Sequence, residues 1–299
     1  MAEGKKIRFI YNPIAGLVHS INSMRRIIDR YFPVNLCEYN FTTTEGKGHA
    51  TQLAKEAVEQ GYDMVVAIGG DGTVNEIATP LMNKKTWFGI IPAGSGNGLA
   101  RGLGIPINVR KAIKLITVGK LRTIDVGKAN DKYFFTTSGF GFDAMVGKRF
   151  DEGKMRGPAP YYIAGVKEFF TYKHSEFKIL FDGKKIKVKA LLVAVANIRQ
   201  YGNNAIIAPN AKPDDGLLDL CIVRSVKFLP TLMHLPKLFS GQIQKAPYVE
   251  LYQGKEFEII REKTDVYQLD GEVYEEEQKL IKVSIIPNAL NVIVNDVNY

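Results

Sequence analysis

Short apolar runs alternate with stretches that carry one apolar face from Lys6 to about Gly119. Apolar runs rich in β-branched residues predict strands, and apolar residues spaced by three or four predict helices. The predicted strands are Ile7–Tyr11, Val34–Phe41, Met64–Ile68 and Trp87–Ile91, and the predicted helices are Ile21–Phe32, His49–Gln60, Thr73–Met82 and Val109–Val118. Strands that alternate with helices predict an α/β domain with a Rossmann-like, mostly parallel sheet.

The pattern changes after about Leu121, where strand-like runs follow one another with turn signals between them. These runs are "KYFFTTSGF", "FKILFDG", "KKIKVKALLVAVAN", "LLDLCIV" and "KEFEIIRE". Two helical stretches interrupt them, near Pro160–Tyr172 and Lys227–Ser240. We therefore predict an α/β domain over residues 1–122 and a mainly antiparallel β-sandwich domain over 123–299, with the C-terminal strand able to return to the first domain.

The stretch "VVAIGGDGTVNEI" places three glycines between the third predicted strand and the helix that follows it. Glycine permits positive φ and lets backbone N–H groups approach a ligand closely. A helix N-terminus beside such groups is suited to bind an anion. A tight turn would also need glycine, but a turn alone does not account for Asp71, Thr73 and Asn75 at its mouth.

Three further loops of small, polar residues follow the other strands: "YNPIAG", "TTTEGKGHA" and "PAGSGNG". The carboxyl ends of parallel strands meet at one edge of a sheet, where ligands of α/β proteins bind. Ser95 and Asn97 could reach a phosphate or a ribose there. One phosphate-binding crevice built from four loops is our interpretation, and four structural turns are the alternative. The chain contains neither G-x-x-x-x-G-K-[ST] nor G-x-S-x-G in these loops, which argues against a P-loop NTPase and a lipase-type hydrolase.

A formal net charge of +9 favours anionic partners but does not distinguish among them. We find no zinc-finger spacing and no aromatic-basic RNA-binding signature, so we do not expect a nucleic acid partner. The two cysteines lie in apolar runs and predict neither disulfides nor zinc binding. The apolar run near the N-terminus is too short for a signal peptide and no run is long enough to span a membrane, so we expect a cytoplasmic protein.

Two acidic stretches in the second half allow two interpretations each. "VYQLDGEVYEEE" is an ordinary hairpin signal because of its Asp-Gly pair, or it carries a catalytic carboxylate at Asp270 or Glu272. "PNAKPDDGLLDL" is a turn before a strand, or a cation site made of carboxylate and carbonyl oxygens.

The segment from Arg224 to Val249 has four basic residues, no acidic residue, and several Leu and Phe residues between them. Such a helix can face the core and keep its basic side in water. It can equally lie on an anionic bilayer, with its apolar face in the lipid and its lysines at the headgroups. The sequence leaves both interpretations open.

Five motifs in order resemble the catalytic domain of the diacylglycerol kinase and sphingosine kinase superfamily: "IYNPIAG", "GGDGTVNEI", "PAGSGNGLAR", "IDVGK" and "LDGE". The resemblance spans nearly the whole chain, whereas GGDGT alone is shared with NAD kinases. It implies an ATP- and Mg²⁺-dependent lipid kinase that transfers the γ-phosphate to a lipid hydroxyl, of diacylglycerol or a sphingoid long-chain base. It also implies a lipid substrate at an anionic membrane surface, with peripheral membrane association.

The resemblance assigns roles to individual residues. Asp71 would position Mg–ATP or act as the base, Glu272 matches the proton acceptor, and Asp125 supports the carboxylate network. The carbonyl groups of Lys212 and Leu217, with Asp215, match a structural magnesium site. The residues implied to bind ATP are Asn12, Pro13, Gly16, Thr44, Gly69, Gly70, Asp71, Gly72, Thr73, Asn75, Glu76, Gly94, Ser95 and Asn97.

One departure from the family pattern concerns the lipid substrate. Bacterial diacylglycerol kinases usually have Asp after the Asn of the second glycine loop, but Gly98 stands here, as in the sphingosine kinase loop. Asp143 is a candidate partner for a substrate hydroxyl or ammonium group. An NAD kinase and a non-catalytic lipid- or nucleotide-binding protein on the same fold are the alternative functions. A homodimer is one of the assembly states that the sequence allows.

Overall fold

A computed structural model describes residues 4–15, 20–33, 37–152, 168–169, 171–172, 174–202, 204–264 and 266–295. The described residues form two compact units. One comprises the chain up to Ile124 together with the residues from Asn288 onward, and the other comprises Asp125–Pro287. Gly16 and most of the predicted helix near Pro160–Tyr172 lie outside the described residues.

The first unit alternates strands and helices, as predicted. Its elements are β1 Lys6–Tyr11, α1 Ile21–Tyr31, β2 Glu38–Thr43, α2 His49–Glu59, β3 Met64–Gly69, α3 Asp71–Leu81, β4 Trp87–Pro92, α4 Gly98–Gly102 and α5 Val109–Val118, followed by β5 Lys120–Ala129, which continues into the second unit. The strand order β4-β3-β1-β2 is parallel throughout.

Burial explains why this sheet forms. Every residue of the central strand β3 is buried, and full burial of a Val or Ile side chain contributes about 1.5–3 kcal/mol. The helices begin at polar caps where the chain offers them: the Ser20 hydroxyl accepts the Ser23 N–H at 3.2 Å, and the Asn108 side chain accepts the Lys111 N–H at 3.2 Å. The apolar faces predicted from the sequence are largely buried in these helices, although Ile21 at the start of α1 is 44% exposed.

The second unit is an antiparallel β domain that also contains helices. Its further elements are β6 Lys132–Phe134, β7 Thr137–Gly141, α6 Phe142–Glu152, β8 Ser175–Phe181, β9 Lys184–Ala196, β10 Gln200–Gly202, β11 Ala205–Ile206, β12 Leu218–Arg224, α7 Phe228–Phe239, a 3-10 turn Ile243–Lys245, β13 Val249–Gly254, β14 Glu256–Arg261, β15 Tyr267–Leu269, β16 Glu272–Tyr274 and β17 Leu280–Val294. The strand order is β16-β15-β7-β9-β8-β14-β17, and β12 lies between β9 and β13.

Strand β17 runs from the second unit into the first. Its first half pairs antiparallel with β14, and its last residues pair parallel with β4 through Val292 and Phe88. The predicted fold class, a parallel α/β domain followed by an antiparallel β-rich domain, is confirmed.

Two local predictions were wrong. "KYFFTTSGF" is not one strand, because the N–H groups of Phe135, Thr136 and Thr137 turn to the carboxylate of Asp270 and separate β6 from β7. Cys37 is half-buried and precedes β2, which begins at Glu38, whereas Cys221 is fully buried in β12 as predicted. Among the described residues, no helix is both long and apolar enough to cross a membrane.

We predict that Gly127→Ala destabilises the protein, because a methyl group at this position in β5 would overlap with the buried ring of Phe134. Overpacking of a core typically costs about 1–3 kcal/mol of unfolding free energy. Gly46→Ala is the control, since no other atom of the described residues lies within 4 Å of the point that its methyl group would take. Urea unfolding of both variants measures the effect, and equal stabilities would contradict the prediction.

Candidate active site

The first and second glycine loops touch each other. Gly70 follows β3 and Gly94 follows β4, and a Cβ on Gly94 would lie 2.5 Å from the Cα of Gly70. A Cβ on Gly69 would lie 2.6 Å from the Thr73 side chain. A side chain at Gly94 would force the two loops apart, and one at Gly69 would collide with Thr73, so both glycines are required by close approach. The two glycine loops therefore contribute backbone, rather than side chains, to the predicted crevice.

Asp71 joins the two loops. Its Oδ1 accepts the N–H of Gly98 at 2.6 Å and its Oδ2 accepts the N–H of Asn97 at 2.8 Å. These N–H groups stand at the start of α4, where backbone donors lack partners within the helix and a negative charge is favourable. Asp71 therefore has a structural task in this unit in addition to the role that the family resemblance implies.

Asn97 shapes the second loop from within. Its backbone has φ of 50° in the left-handed region, which Asn tolerates better than most residues. Its side chain accepts the Gly94 N–H at 3.0 Å and donates to the Gly94 carbonyl at 2.6 Å. Ser95, between these residues, is exposed. Asn97 thus stabilises the loop through Gly94, and the exposed Ser95 side chain is accessible to a ligand.

The loop after β1 lies against the first glycine loop. The Asn12 side chain donates to the Thr73 hydroxyl at 2.9 Å, and the Asn12 N–H donates to the Ile68 carbonyl at 2.9 Å. Thr44, after β2, donates its N–H to the Tyr11 carbonyl at 2.9 Å. The loops after all four strands therefore lie at the same edge of the sheet.

Glu76 closes this edge from α3. Its Oε1 accepts the Gly48 N–H at 3.0 Å, and its carbonyl accepts the Thr51 hydroxyl at 3.1 Å. Glu76 therefore anchors the loop before α2. The remaining residues implied to bind ATP, Pro13, Gly72 and Asn75, are half-buried around the same edge.

In the second unit, Asp270 and Gly271 form the turn between β15 and β16, with φ of 51° and 87°. The hairpin interpretation of "LDGE" is thus correct for the backbone. The Asp270 carboxylate accepts the N–H groups of Phe135 at 2.8 Å and Thr136 at 2.7 Å. This carboxylate holds the turn, while the half-buried Glu272 follows it and accepts the Tyr274 hydroxyl at 3.0 Å.

Asp125 packs against the "KPDDGL" turn. Its carboxylate, 1 % exposed, accepts the Gly216 N–H at 2.7 Å, and its own N–H donates to the Pro213 carbonyl at 2.7 Å. Asp215 accepts the Leu217 N–H at 3.0 Å. The structure therefore brings Asp125 together with the predicted cation loop.

Burial and neighbouring carboxylates raise the pKa values of two aspartates in this acidic region. Burial, followed by the charge of Asp125, raises the pKa of Asp215 above its ordinary value. Burial and the charge of Asp215 raise the pKa of Asp219 to about 6. A bound cation would relieve this repulsion, and a carboxylate with backbone carbonyls is a donor set that suits Mg²⁺ or Ca²⁺. However, in the described part of the chain no three His, Cys, Asp or Glu side chains are placed to share one metal ion.

Asp143, the candidate substrate partner, is 7 % exposed at the first turn of α6. It contacts the Tyr201 hydroxyl and accepts the Gln268 Nε2–H at 3.2 Å. Its Oδ1 is buried without a hydrogen-bond partner among the described residues. Burial raises the pKa of this carboxyl to about 7. Sequence reasoning missed Gln268 and Tyr201, and the only available signal was the position of Gln268 directly before "LDGE".

Comparisons with known proteins match the two halves of the chain to two family models. The diacylglycerol kinase catalytic domain family matches residues 6–129, and the YegS C-terminal NAD kinase beta sandwich-like domain family matches residues 136–294. The chain belongs to the diacylglycerol kinase family of lipid kinases. The resemblance stated from the motifs is thereby confirmed.

Individual relatives extend the match across most of the chain. A diacylglycerol kinase of Bacillus subtilis (strain 168) is 32% identical over 74% of this chain and 74% of its own length. A "Probable lipid kinase YegS-like" of Enterobacter sp. (strain 638) is 33% identical over 82% of each chain. The crystal structure of a diacylglycerol kinase from Bacillus anthracis str. Sterne has a TM-score of 0.73 at 23% identity, covering 98% of this chain and 97% of its own, which shows the same fold. These relationships identify the chain as a kinase.

We predict that Asp143→Asn changes the pH dependence of stability. The folded-state pKa of Asp143 is raised to about 7, above an ordinary value of about 4. Its contribution to the unfolding free energy is therefore complete below about pH 4 and declines as the pH rises through about 7. The unfolding free energy of Asp143→Asn, relative to the parent, should rise across that window and level off above it.

Chemical unfolding at a series of pH values measures this difference. Asp219 titrates with the same sign but is present in both proteins, so it cancels. Asp131→Asn, in an exposed turn, is the matched control and should run parallel to the parent. If the unfolding free energy of Asp143→Asn has the same pH dependence as that of the parent, the prediction is wrong.

Proposed function

We propose that this protein is an ATP- and Mg²⁺-dependent lipid kinase that transfers the γ-phosphate to the hydroxyl of diacylglycerol. Membership of the diacylglycerol kinase family and the relatives with that name support this substrate. The observation that carries the proposal is the contact of two glycine loops at the edge where all four strand loops meet. A sphingoid long-chain base is the substrate that Gly98 favours instead.

The first unit fits a nucleotide. Gly69 and Gly94 leave no room for a Cβ and Gly70 leaves little, so backbone N–H groups can approach phosphate oxygens closely. Ser95 is exposed for a hydrogen bond to phosphate or ribose. Phosphoryl transfer requires mainly positioning and charge stabilisation, which preorganised N–H groups provide.

The carboxylates have distinct proposed roles. Glu272 accepts the proton of the lipid hydroxyl as that oxygen attacks the γ-phosphorus, and the bond from the γ-phosphorus to the bridging oxygen breaks to release ADP. Asp71 keeps the two glycine loops in register through its bonds to Asn97 and Gly98. Asp125 and Asp215, with the carbonyls of Lys212 and Leu217, would hold a structural cation. Mg²⁺, when bound, neutralises phosphate charge and orients the nucleotide.

We predict that Glu272→Gln lowers kcat by about 100- to 10,000-fold, the range that general base catalysis usually contributes. The assay is transfer of labelled phosphate from ATP in mixed micelles to diacylglycerol, to a sphingoid base, and to NAD in separate reactions. Glu275→Gln, whose carboxylate pairs with Lys148 on an exposed surface, is the matched control and should keep full activity.

Each outcome of this assay decides between named functions. Labelled phosphatidate supports the proposal. Labelling of the sphingoid base alone assigns the chain to the other substrate branch, and labelling of NAD alone assigns it to the NAD kinases. Full activity of Glu272→Gln would remove Glu272 as the proton acceptor.

Membrane contact is a second part of the proposal and rests on α7. No residue of this helix is buried, and Leu229, Leu232 and Met233 are 64%, 50% and 69% exposed. Exposed apolar side chains with lysines and no acidic residue around them match an anionic bilayer in both polarity and charge. The helix also packs on the core through Leu238, and the Phe228 ring lies 5.2 Å from that of Phe169, so one side can face the core while the other meets a bilayer. We infer peripheral binding to a membrane from the cytoplasm, where ATP is available.

We predict that Leu229→Ser/Met233→Ser weakens binding to phosphatidylglycerol-rich vesicles by about tenfold or more, since each apolar side chain buried in lipid contributes more than about 1 kcal/mol. Val118→Ser is the matched control, because Val118 is 77% exposed in the other unit. Vesicle sedimentation measures the affinity. Unchanged binding of the double variant would exclude α7 as the membrane contact.

A further inference from the structure

A buried polar cluster lies beneath the turn that carries Glu272. It consists of Asp143 on α6, Tyr201 on β10 and Gln268 on β15. The Gln268 Nε2–H group lies 3.2 Å from the Asp143 carboxylate and 3.1 Å from the Tyr201 hydroxyl. Gln268 is 5 % exposed, so these polar contacts are made away from water, where losing them is costly.

The other end of the same amide reaches the turn. Gln268 Oε1 accepts the Gly271 N–H at 2.7 Å. The N–H group of Gly271 can only donate, so the oxygen end of the amide must face Gly271 and the NH₂ end then faces Asp143. The amide therefore connects the turn to Asp143 in one orientation.

The turn is thus held at both of its residues. Asp270 is bound by the N–H groups of Phe135 and Thr136, and Gly271 is bound by Gln268. The peptide that follows Gly271 leads directly into Glu272. A Cβ on Gly139 would lie 2.6 Å from Gln268 Nε2, so the neighbouring strand leaves space for this amide only because glycine stands there.

We propose that Gln268 is a positioning residue that fixes the backbone before Glu272 by linking the Gly271 N–H to the buried carboxylate of Asp143. This role rests on the proposed function of Glu272 as proton acceptor. Gln268 itself does not touch a reacting group; it acts through the turn. Small displacements of a catalytic group can cost up to about 100-fold in rate.

Gln268→Leu tests the link by removing both ends of the amide at similar size. We expect kcat to fall about 10- to 100-fold with the KM for ATP unchanged, and we expect faster hydrogen exchange of the peptide that contains Gly271. A folded Gln268→Leu with the parent kcat and parent exchange at Gly271 would overturn the inference.

An exchange of groups gives the sharper test. Gln268→Glu alone places two carboxylates together, whereas Asp143→Asn alone keeps an amide oxygen that can still accept the Gln268 Nε2–H group. In the double variant Asp143→Asn/Gln268→Glu, the Asn can donate to the Glu, and the Glu can still accept the Gly271 N–H. We expect Gln268→Glu to lose kcat, Asp143→Asn to keep most of it, and the double variant to recover most of what Gln268→Glu loses. If the loss of kcat in the double variant equals the sum of the two single losses (as free energies), the inference is overturned. This test does not depend on whether Gln268→Leu folds.

The same assays separate this inference from the proposed function. If Glu272→Gln loses activity while folded Gln268→Leu keeps it, only the positioning role is overturned. If Glu272→Gln keeps full activity, the proposed role of Glu272 fails and the positioning role fails with it. Loss in both, with recovery in the exchanged pair, supports both.

Discussion

The first unit depends on the contact between Gly70 and Gly94. A methyl group on either glycine would press against backbone of the other loop, and backbone cannot move aside as a flexible side chain can. Asp71 adds the bonds that keep this approach in place, because both of its oxygens bind N–H groups of the second loop. The loops therefore expose backbone rather than side chains at the edge of the sheet, and such surfaces suit phosphate groups.

Local pattern predicted most elements of this unit. Apolar runs predicted β1, β3 and β4, since a strand buried on both faces must be apolar along most of its length. The glycine loops could be placed as well, because each follows a strand in the sequence. The start of β2 was predicted too early, since the half-buried Cys37 is apolar without belonging to the strand. The spacing of apolar residues indicates which positions are buried. It does not indicate at which residue a strand begins to pair with its neighbour.

The second unit shows what local pattern cannot supply. The break between β6 and β7 depends on Asp270, which is more than a hundred positions away in the sequence and becomes a neighbour only in the folded chain. Tyr201 and Gln268 meet Asp143 by the same kind of long-range contact. A glutamine in a strand has no distinctive pattern around it. Its relation to Asp143 follows from the order of β7, β15 and β16 in the sheet.

The "LDGE" turn joins structural and functional demands in adjacent residues. Asp-Gly is favoured at this turn because both residues take positive φ, which a β-branched residue would resist. Asp270 then uses its carboxylate for backbone N–H groups that hold the turn, and Glu272, the next carboxylate in the chain, is the candidate for the chemistry. The four-residue motif therefore indicates both a turn and a candidate catalytic carboxylate. The hairpin interpretation and the catalytic interpretation describe different residues of the same four, and neither excludes the other.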